Sequence, residues 1–205
     1  MYIPKHFAIT DASACHQVIA ENGFGELVTV DAAGLPFASH LPFLIDAARG
    51  PSGTLIAHMA RANPQWQHFA DGKSVLAVFR GPHAYVSPAW YATHPAVPTW
   101  NYVAVHAYGV PKIVDAPAAM KEILGRLVES NEAANGTTWR MDGLTEEYLG
   151  CMMRAIVLFE IPIDRLDGKA KLSQNRDAAD QARVAEALAA SVDPSARATS
   201  RAMRS

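Results

Sequence analysis

The spacing of apolar positions changes several times along the chain, and each change marks an element. Thr10 precedes a stretch in which Val18 and Ile19 face one way, which predicts a helix over residues 11–22 stopped by Asn22-Gly23. Two β-rich runs follow, residues 27–30 and 36–44, separated by Asp31-Ala32-Ala33-Gly34. That pattern predicts a hairpin. In the second run Phe37, Ser39, Leu41 and Phe43 alternate with Ala38, His40, Pro42 and Leu44, so one set faces a core and the other faces away. Pro36 and Pro42 argue against full pairing at the ends of that strand.

Residues 46–53 read as a loop and 54–59 as a short strand. Asn63-Pro64 then carries the cap-plus-proline signature of a helix start, with an end near Asp71-Gly72. Residues 75–79 and 83–87 read as two strands, and 88–98 as an aromatic-rich loop. The longest β-like segment is 100–114. After it Asp115 is placed to cap a helix in which Met120, Ile123, Leu124, Leu127 and Val128 form one stripe. Thr145 opens a further helix, 156–163 is a strand, and 177–192 is an alanine-rich helix. Strands joined by short turns, with helices in no regular alternation, predict an α+β fold. The expected architecture is a mainly antiparallel β-barrel with peripheral helices, not a doubly wound sheet. Residues 1–192 are expected to form one domain and 193–205 a flexible tail.

At 205 residues, half of them hydrophobic and 19% charged, the chain has the profile of an ordinary globular protein. No apolar run approaches the ~20 residues that span a bilayer, and no signal peptide is expected, so the expectation is a cytoplasmic protein with no membrane partner. Cys15 and Cys151 lack a partner spacing and are expected as reduced thiols. The net charge is −2, and residues 1–192 alone carry 15 basic against 19 acidic side chains. That is a poor field for a phosphate backbone, so DNA as a partner rests on local patches, residues 169–176 and Arg197, Arg201 and Arg204.

Three segments carry candidate chemistry. In residues 56–66 a strand delivers the chain to a helix start, where free N–H groups favour an anion and Arg61 stands two residues before the cap. A solvated arginine at a plain strand–helix turn is the competing reading. The aromatic stretch with Tyr85, Trp90, Tyr91 and Trp100 can line a planar ligand or a subunit contact, or plug a barrel end. Lys169, Lys171, Ser173, Gln174 and Arg176 form a dense polar run that can hold an anionic ligand or stand as a solvated loop. Eight histidines show no metal-ligand spacing, so no metal site is assigned. No nucleophile elbow or dinucleotide fingerprint occurs, and no catalytic residue is named.

The runs MYIPKHF, VTVDAAGLPFASHLPF, IAHMARANPQW, AVFRGPHAYVSPAWY, VPTWNYVAVHAYG and KLSQNR occur in order, and together they resemble the PaiB family. The resemblance implies an FMN-binding split barrel related to pyridoxamine-phosphate oxidases. It also implies a homodimer holding flavin where two barrels meet, and a role as a negative transcriptional regulator. By the same resemblance His58, Met59, Arg61 and Asn63 would lie near the ribityl chain and phosphate. Ser39, His40 and Leu41 would flank the isoalloxazine, and Trp100, Asn101, Ser173 and Gln174 would complete the wall, with Lys171 a second cation for the phosphate. Relatives of the wider superfamily place an Arg and a Lys together where this chain has Ala62, Asn63 and Pro64. Two alternatives stand beside the regulator. One is an FMN-dependent oxidoreductase. The other is a haem-handling split barrel with His40, His58 or His106 as axial ligand.

Overall fold

The computed structural model describes all residues, Met1–Ser205. The chain forms two compact units. One comprises Met1–Asn22, Val78–Ala107 and Leu166–Ser205, the other Gly23–Ala77 and Tyr108–Arg165. In chain order the strands are β1 Ala8–Ile9, β2 Phe24–Val30, β3 Pro36–Asp46, β4 Thr54–Ala60, β5 Val75–Val86, β6 Thr99–Gly109, β7 Lys112–Val114, β8 Ile156–Pro162 and β9 Arg165–Lys171. The helices are α1 Ala12–Glu21, α2 Pro117–Ala134, α3 Glu146–Arg154, α4 Ala178–Ala189 and α5 Pro194–Ala202. Four 3-10 segments complete the chain, the longest being Pro64–Asp71. No helix is long and apolar enough to cross a membrane.

In the second unit the strand order is β2-β3-β4-β8-β7, and every pair is antiparallel. The hairpin closes because Asp31 Oδ1 accepts from the backbone of Ala33 and Leu35, at 2.9 and 2.8 Å, and Gly34 takes φ +83°. An L side chain rarely adopts that φ. Register runs from Val30 opposite Pro36 to Phe24 opposite Pro42. Leu41 and Phe43 are buried and Phe37 and Ser39 half-buried, whereas Pro36, Ala38, His40 and Pro42 are exposed, as the alternation requires. β3 then bends to pair β4 from Phe43 opposite Ala57 to Asp46 opposite Thr54. β4 is covered on both faces. Ile56 and Leu158 meet Met120, Ile123 and Leu127 of α2 on one side. On the other Phe69 lies 5.0 Å from Phe159, ring to ring. The stripe predicted for α2 is therefore its buried face.

Ion pairs fasten α2 and the hairpin ends. Arg126 Nη2 donates to Asp46 at 2.8 Å and holds that carboxyl below its usual range. Arg49 makes a bidentate pair with Glu160 at 2.6 and 2.8 Å.

In the first unit the order is β1-β9-β6-β5, with Ala8 opposite Lys169 and Ile9 opposite Gly168. α4 and α5 pack on this sheet through Val184, Leu188 and Ala196 against Ala84, Val86 and Tyr91.

Several details differ from the sequence reading. Asp11, not Thr10, caps α1, accepting from Ser13 N at 3.0 Å. α2 starts at Pro117 with no side-chain cap, so Asp115 does not open it; proline at the first helical position sets the start. The segment from Pro64 is a 3-10 helix, not an α-helix, with Asn63 as its cap. Residues 75–79 and 83–87 are one strand, continuous through Gly81-Pro82. The run 165–171, read as a loop from Gly168 onward, is β9. The residues after Asp193, read as a flexible tail, form α5. Asp193 caps it, and Ser195 exchanges hydrogen bonds with His83 N and O at 3.0 and 2.8 Å. Its buried residues, Ala196, Thr199 and Ser200, are too small and polar to register as a hydrophobic stripe, but they let α5 approach α4 closely.

Gly109 ends β6 where the backbone of Pro162 leaves no room: a Cβ there would overlap the Pro162 carbonyl and lie 2.9 Å from Ile161 Cγ2. Gly109→Ala is expected to lower stability by about 1–3 kcal/mol. Urea unfolding checks it, and a midpoint equal to wild type would contradict the packing described.

Candidate functional site

The residues singled out in the second unit converge on the start of the 3-10 helix, but most of their polar atoms are already spent. Asn63 Oδ1 accepts from Gln65 N at 3.0 Å and its Nδ2 donates to Ser39 Oγ at 2.8 Å, which ties the helix start to β3. Gln65 is fully buried, its Nε2 facing Leu27 O, Phe37 O and Thr29 Oγ1 within 2.9–3.2 Å. Leu41 and Met59 are core residues, 7% and 2% exposed, and present no surface to a ligand. His40 lies on the outer face, 3.7 Å from Glu26 and stacked on Phe24.

Arg61 stands at the end of β4 as expected, yet its guanidinium has another task. Nε donates to Arg154 O and Nη2 to Ile156 O, both at 2.8 Å, and its backbone N–H donates to Ala155 O at 2.8 Å. Arg154 O and Ala155 O lie at the carboxy end of α3, where a helix cannot satisfy its carbonyls from within, and Ile156 O opens β8. The positive charge also complements the helix dipole there. Three guanidinium N–H groups, two on Nη1 and one on Nη2, are not used by these bonds. Sequence spacing put Arg61 beside a helix start but could not show the end of α3, some ninety residues later, against it.

His58 is the residue of this group with an uncommitted buried atom. Its Nδ1 is enclosed and has no hydrogen-bond partner. Burial holds the imidazole below its ordinary range, because the charged form loses its hydration.

In the first unit the structure brings four of the named residues together. Asn101, fully buried, donates Nδ2 to Ser173 Oγ at 2.9 Å and accepts in return at 3.2 Å. Lys171 Nζ donates to Trp100 O at 2.7 Å and to Thr99 Oγ1. Ser173 sits at φ +68°, a conformation rare for a residue with a side chain. Gln174 is spent within the turn: its Oε1 accepts from Leu172 N and its Nε2 donates to Ala170 O, both at 2.7 Å. The side chain is exposed, but both ends of its amide are used in shaping the turn.

Around Trp100 lies a groove of about 440 Å3 lined by Val78, Arg80, His83, Tyr102 and His106. Trp100 is 52% exposed and meets the edge of Tyr85 at 6.1 Å. Sequence reasoning did not place Thr99 in the site, and it named Tyr91 as a possible wall for a planar ligand, not as a seat for a cation. The Tyr91 ring carries Arg176 at 4.3 Å, and no local spacing links residues 91 and 176.

A flavin nucleotide asks for cations at its phosphate, a flat apolar face for its rings and polar atoms for their edge. The first unit offers Lys171 and Arg176 for the first and Trp100 with Tyr85 for the second, so its donor set suits the group.

Two consequences are measurable. Arg61→Ala is expected to lower stability by about 1–3 kcal/mol, the loss of two charged hydrogen bonds, with a smaller change in FMN affinity. A tenfold loss of affinity at unchanged stability would return Arg61 to the phosphate. For His58 the folded form resists protonation more than the unfolded form does. The stability it leaves intact is therefore full above the ordinary histidine range and falls as pH drops through it. His58→Gln should flatten part of the stability loss between about pH 7 and 5 in urea titrations. An unchanged pH profile would contradict the burial.

A family model described as "Putative FMN-binding domain" matches residues 1–165. The chain is 36% identical over 197 residues to the Protease synthase and sporulation protein PAI 2 of Bacillus subtilis, covering 96% of this chain and 93% of that one. It is 32% identical to an uncharacterised protein of Aspergillus fumigatus over 91% of this chain and 90% of the other. Among solved structures, the FAD and haem binding protein of Mycobacterium smegmatis aligns with a TM-score of 0.61 at 16% identity, covering 85% and 78% of the two chains. The flavocytochrome Anf3 of Azotobacter vinelandii aligns with a TM-score of 0.61 at 14% identity, covering 88% and 78%. At such identities the two structures speak for the fold, an antiparallel split barrel with added helices. The sequence matches speak for the lineage: the chain belongs to the PaiB family of FMN-binding proteins.

Proposed function

We propose that the protein is an FMN-dependent negative regulator of gene expression, acting in the cytoplasm as a homodimer. The observation that carries this reading is the 36% identity, over 96% of this chain and 93% of the other, to a protein named for protease synthase and sporulation. Bound FMN would supply electron-transfer chemistry and a visible absorbance. The chain would position it with Trp100 against a flat face of the rings.

The homodimer reading draws on the outer face of the β2–β3 hairpin. Phe24 and Val30 are 70% and 50% exposed, and they lie opposite Pro42 and Pro36 across the hairpin. With Ala38 they make an apolar strip interrupted only by Glu26 and His40, and strips of this kind mark protein contacts. Direct DNA contact would fall to Arg201 and Arg204, both exposed at the end of α5. Arg197 donates to Ser191 O and Val192 O instead.

Purified protein should copurify with, or bind, a flavin absorbing near 450 nm (roughly, for an oxidised flavin). Phe24→Asp with Val30→Asp should shift its sedimentation from dimer to monomer. In DNA retention assays Arg201→Ala with Arg204→Ala should reduce the log–log salt slope by about two. A colourless protein that binds no FMN would overturn the reading, and rapid NADPH-driven bleaching with no DNA retention would favour the oxidoreductase.

A further inference from the structure

The turn after β9 closes a small cavity of about 220 Å3 whose wall includes Tyr91, Thr99, Asn101, Lys171, Ser173 and Arg176. It holds two cations and no carboxylate. The Lys171 ammonium donates only to neutral oxygens, Thr99 Oγ1 and Trp100 O, leaving one N–H over. The Arg176 guanidinium carbon lies over the Tyr91 ring, 4.3 Å from its centroid, and none of the guanidinium N–H groups donates to a protein acceptor. Asp177, the acid nearest in sequence, feels the Arg176 charge, and its oxygens take Asp180 N at 2.8 Å and Thr93 Oγ1 at 3.2 Å. Burial, and then the repulsion of Lys169 alongside, hold the Lys171 amine below the usual lysine range. An anion in the cavity would relieve that repulsion.

The cavity is also pre-set. The reciprocal Asn101–Ser173 bonds, the Gln174 bridge between Leu172 N and Ala170 O, and the Arg176 N to Ser173 O bond at 2.9 Å fix the turn, with Ser173 held at φ +68°. A non-glycine residue kept in that region costs about 1–3 kcal/mol and tends to persist where a site needs it. The cation–π contact with buried Tyr91 likewise places the Arg176 guanidinium before any ligand arrives. The volume lies below the ~300–1,000 Å3 usual for whole drug-sized ligands. A phosphoryl group fits; an isoalloxazine does not.

We propose that this cavity is a phosphoryl-binding site, in which Arg176 supplies the planar fork and Lys171 a point charge. It takes over the role that the sequence assigned to Arg61. The phosphoryl group can belong to FMN, an assignment that rests on the flavin reading above, or to a free small phosphate; the site itself needs neither assumption.

The test is calorimetric titration of the full-length, flavin-stripped protein with inorganic phosphate, FMN and riboflavin. Wild type is compared with Arg176→Gln, Arg176→Lys and Lys171→Met, each checked for folding by thermal melting. Arg176→Gln should weaken phosphate binding by about tenfold or more, and Arg176→Lys should restore it only in part, because the fork is lost. If the group is FMN's own, FMN weakens in parallel, riboflavin does not, and phosphate competes with FMN. If it is a separate ligand, FMN affinity is unchanged and both bind together. Phosphate and FMN affinities that equal wild type in folded Arg176→Gln and Lys171→Met would overturn the site. Phosphate binding without any FMN binding would overturn the flavin reading and leave the site standing.

Discussion

A backbone carbonyl at the end of a helix finds no donor within the helix and takes one from water or from a side chain. In this chain that demand decides which polar side chains are left for a ligand. Arg61 is drawn to the carboxy end of α3. Asn63 serves the 3-10 helix and Ser39 together. Gln65 lies under the hairpin and Gln174 closes its own turn. After these assignments the uncommitted groups include the buried His58 Nδ1, Gln65 Oε1 and Asp180 Oδ2, three N–H groups of Arg61, one of Lys171 and the Arg176 fork. The ligand chemistry of the protein follows from what is left over.

Each compact unit provides a frame for one part of that remainder. In the second unit β4 is buried on both faces, so it carries His58 on a strand with little freedom to move. In the first unit β9 and β6 set Lys171 beside Thr99 and Trp100, while α4 and α5 pack over Ala84, Val86 and Tyr91. The ring that seats Arg176 is therefore itself a core residue. α5 matters here although its residues are unremarkable, because Ser195 latches it to His83 and Ser200 Oγ reaches Ala185 O at 2.6 Å.

Much of the second unit was legible in the sequence. The alternation in β3, the Asp31–Gly34 turn, the Asn63 cap and the apolar stripe of α2 each depend on neighbours within a few residues. What escaped depends on partners far along the chain or on small side chains. β9 carries few β-branched residues, and α5 buries Ala, Thr and Ser in place of leucine. For the site, the runs containing Arg61 and Lys171 were visible as anion candidates, but their order of importance was not. Nothing near Arg61 signals the Arg154 and Ile156 carbonyls, and nothing near Arg176 signals Tyr91. Leu41 and Met59 were drawn in by adjacency to polar neighbours, although strand alternation turns them into the core.

We propose the turn after β9 as a phosphoryl site and, on the flavin reading, as the seat of the FMN phosphate. A crystal structure of the flavin-loaded protein tests it most directly. The account predicts phosphate oxygens within hydrogen-bonding distance of the Arg176 guanidinium and the Lys171 ammonium, with Arg61 still bound to the end of α3. A phosphate seated instead on Arg61 and the amino end of the 3-10 helix, with Arg176 left in solvent, would contradict it.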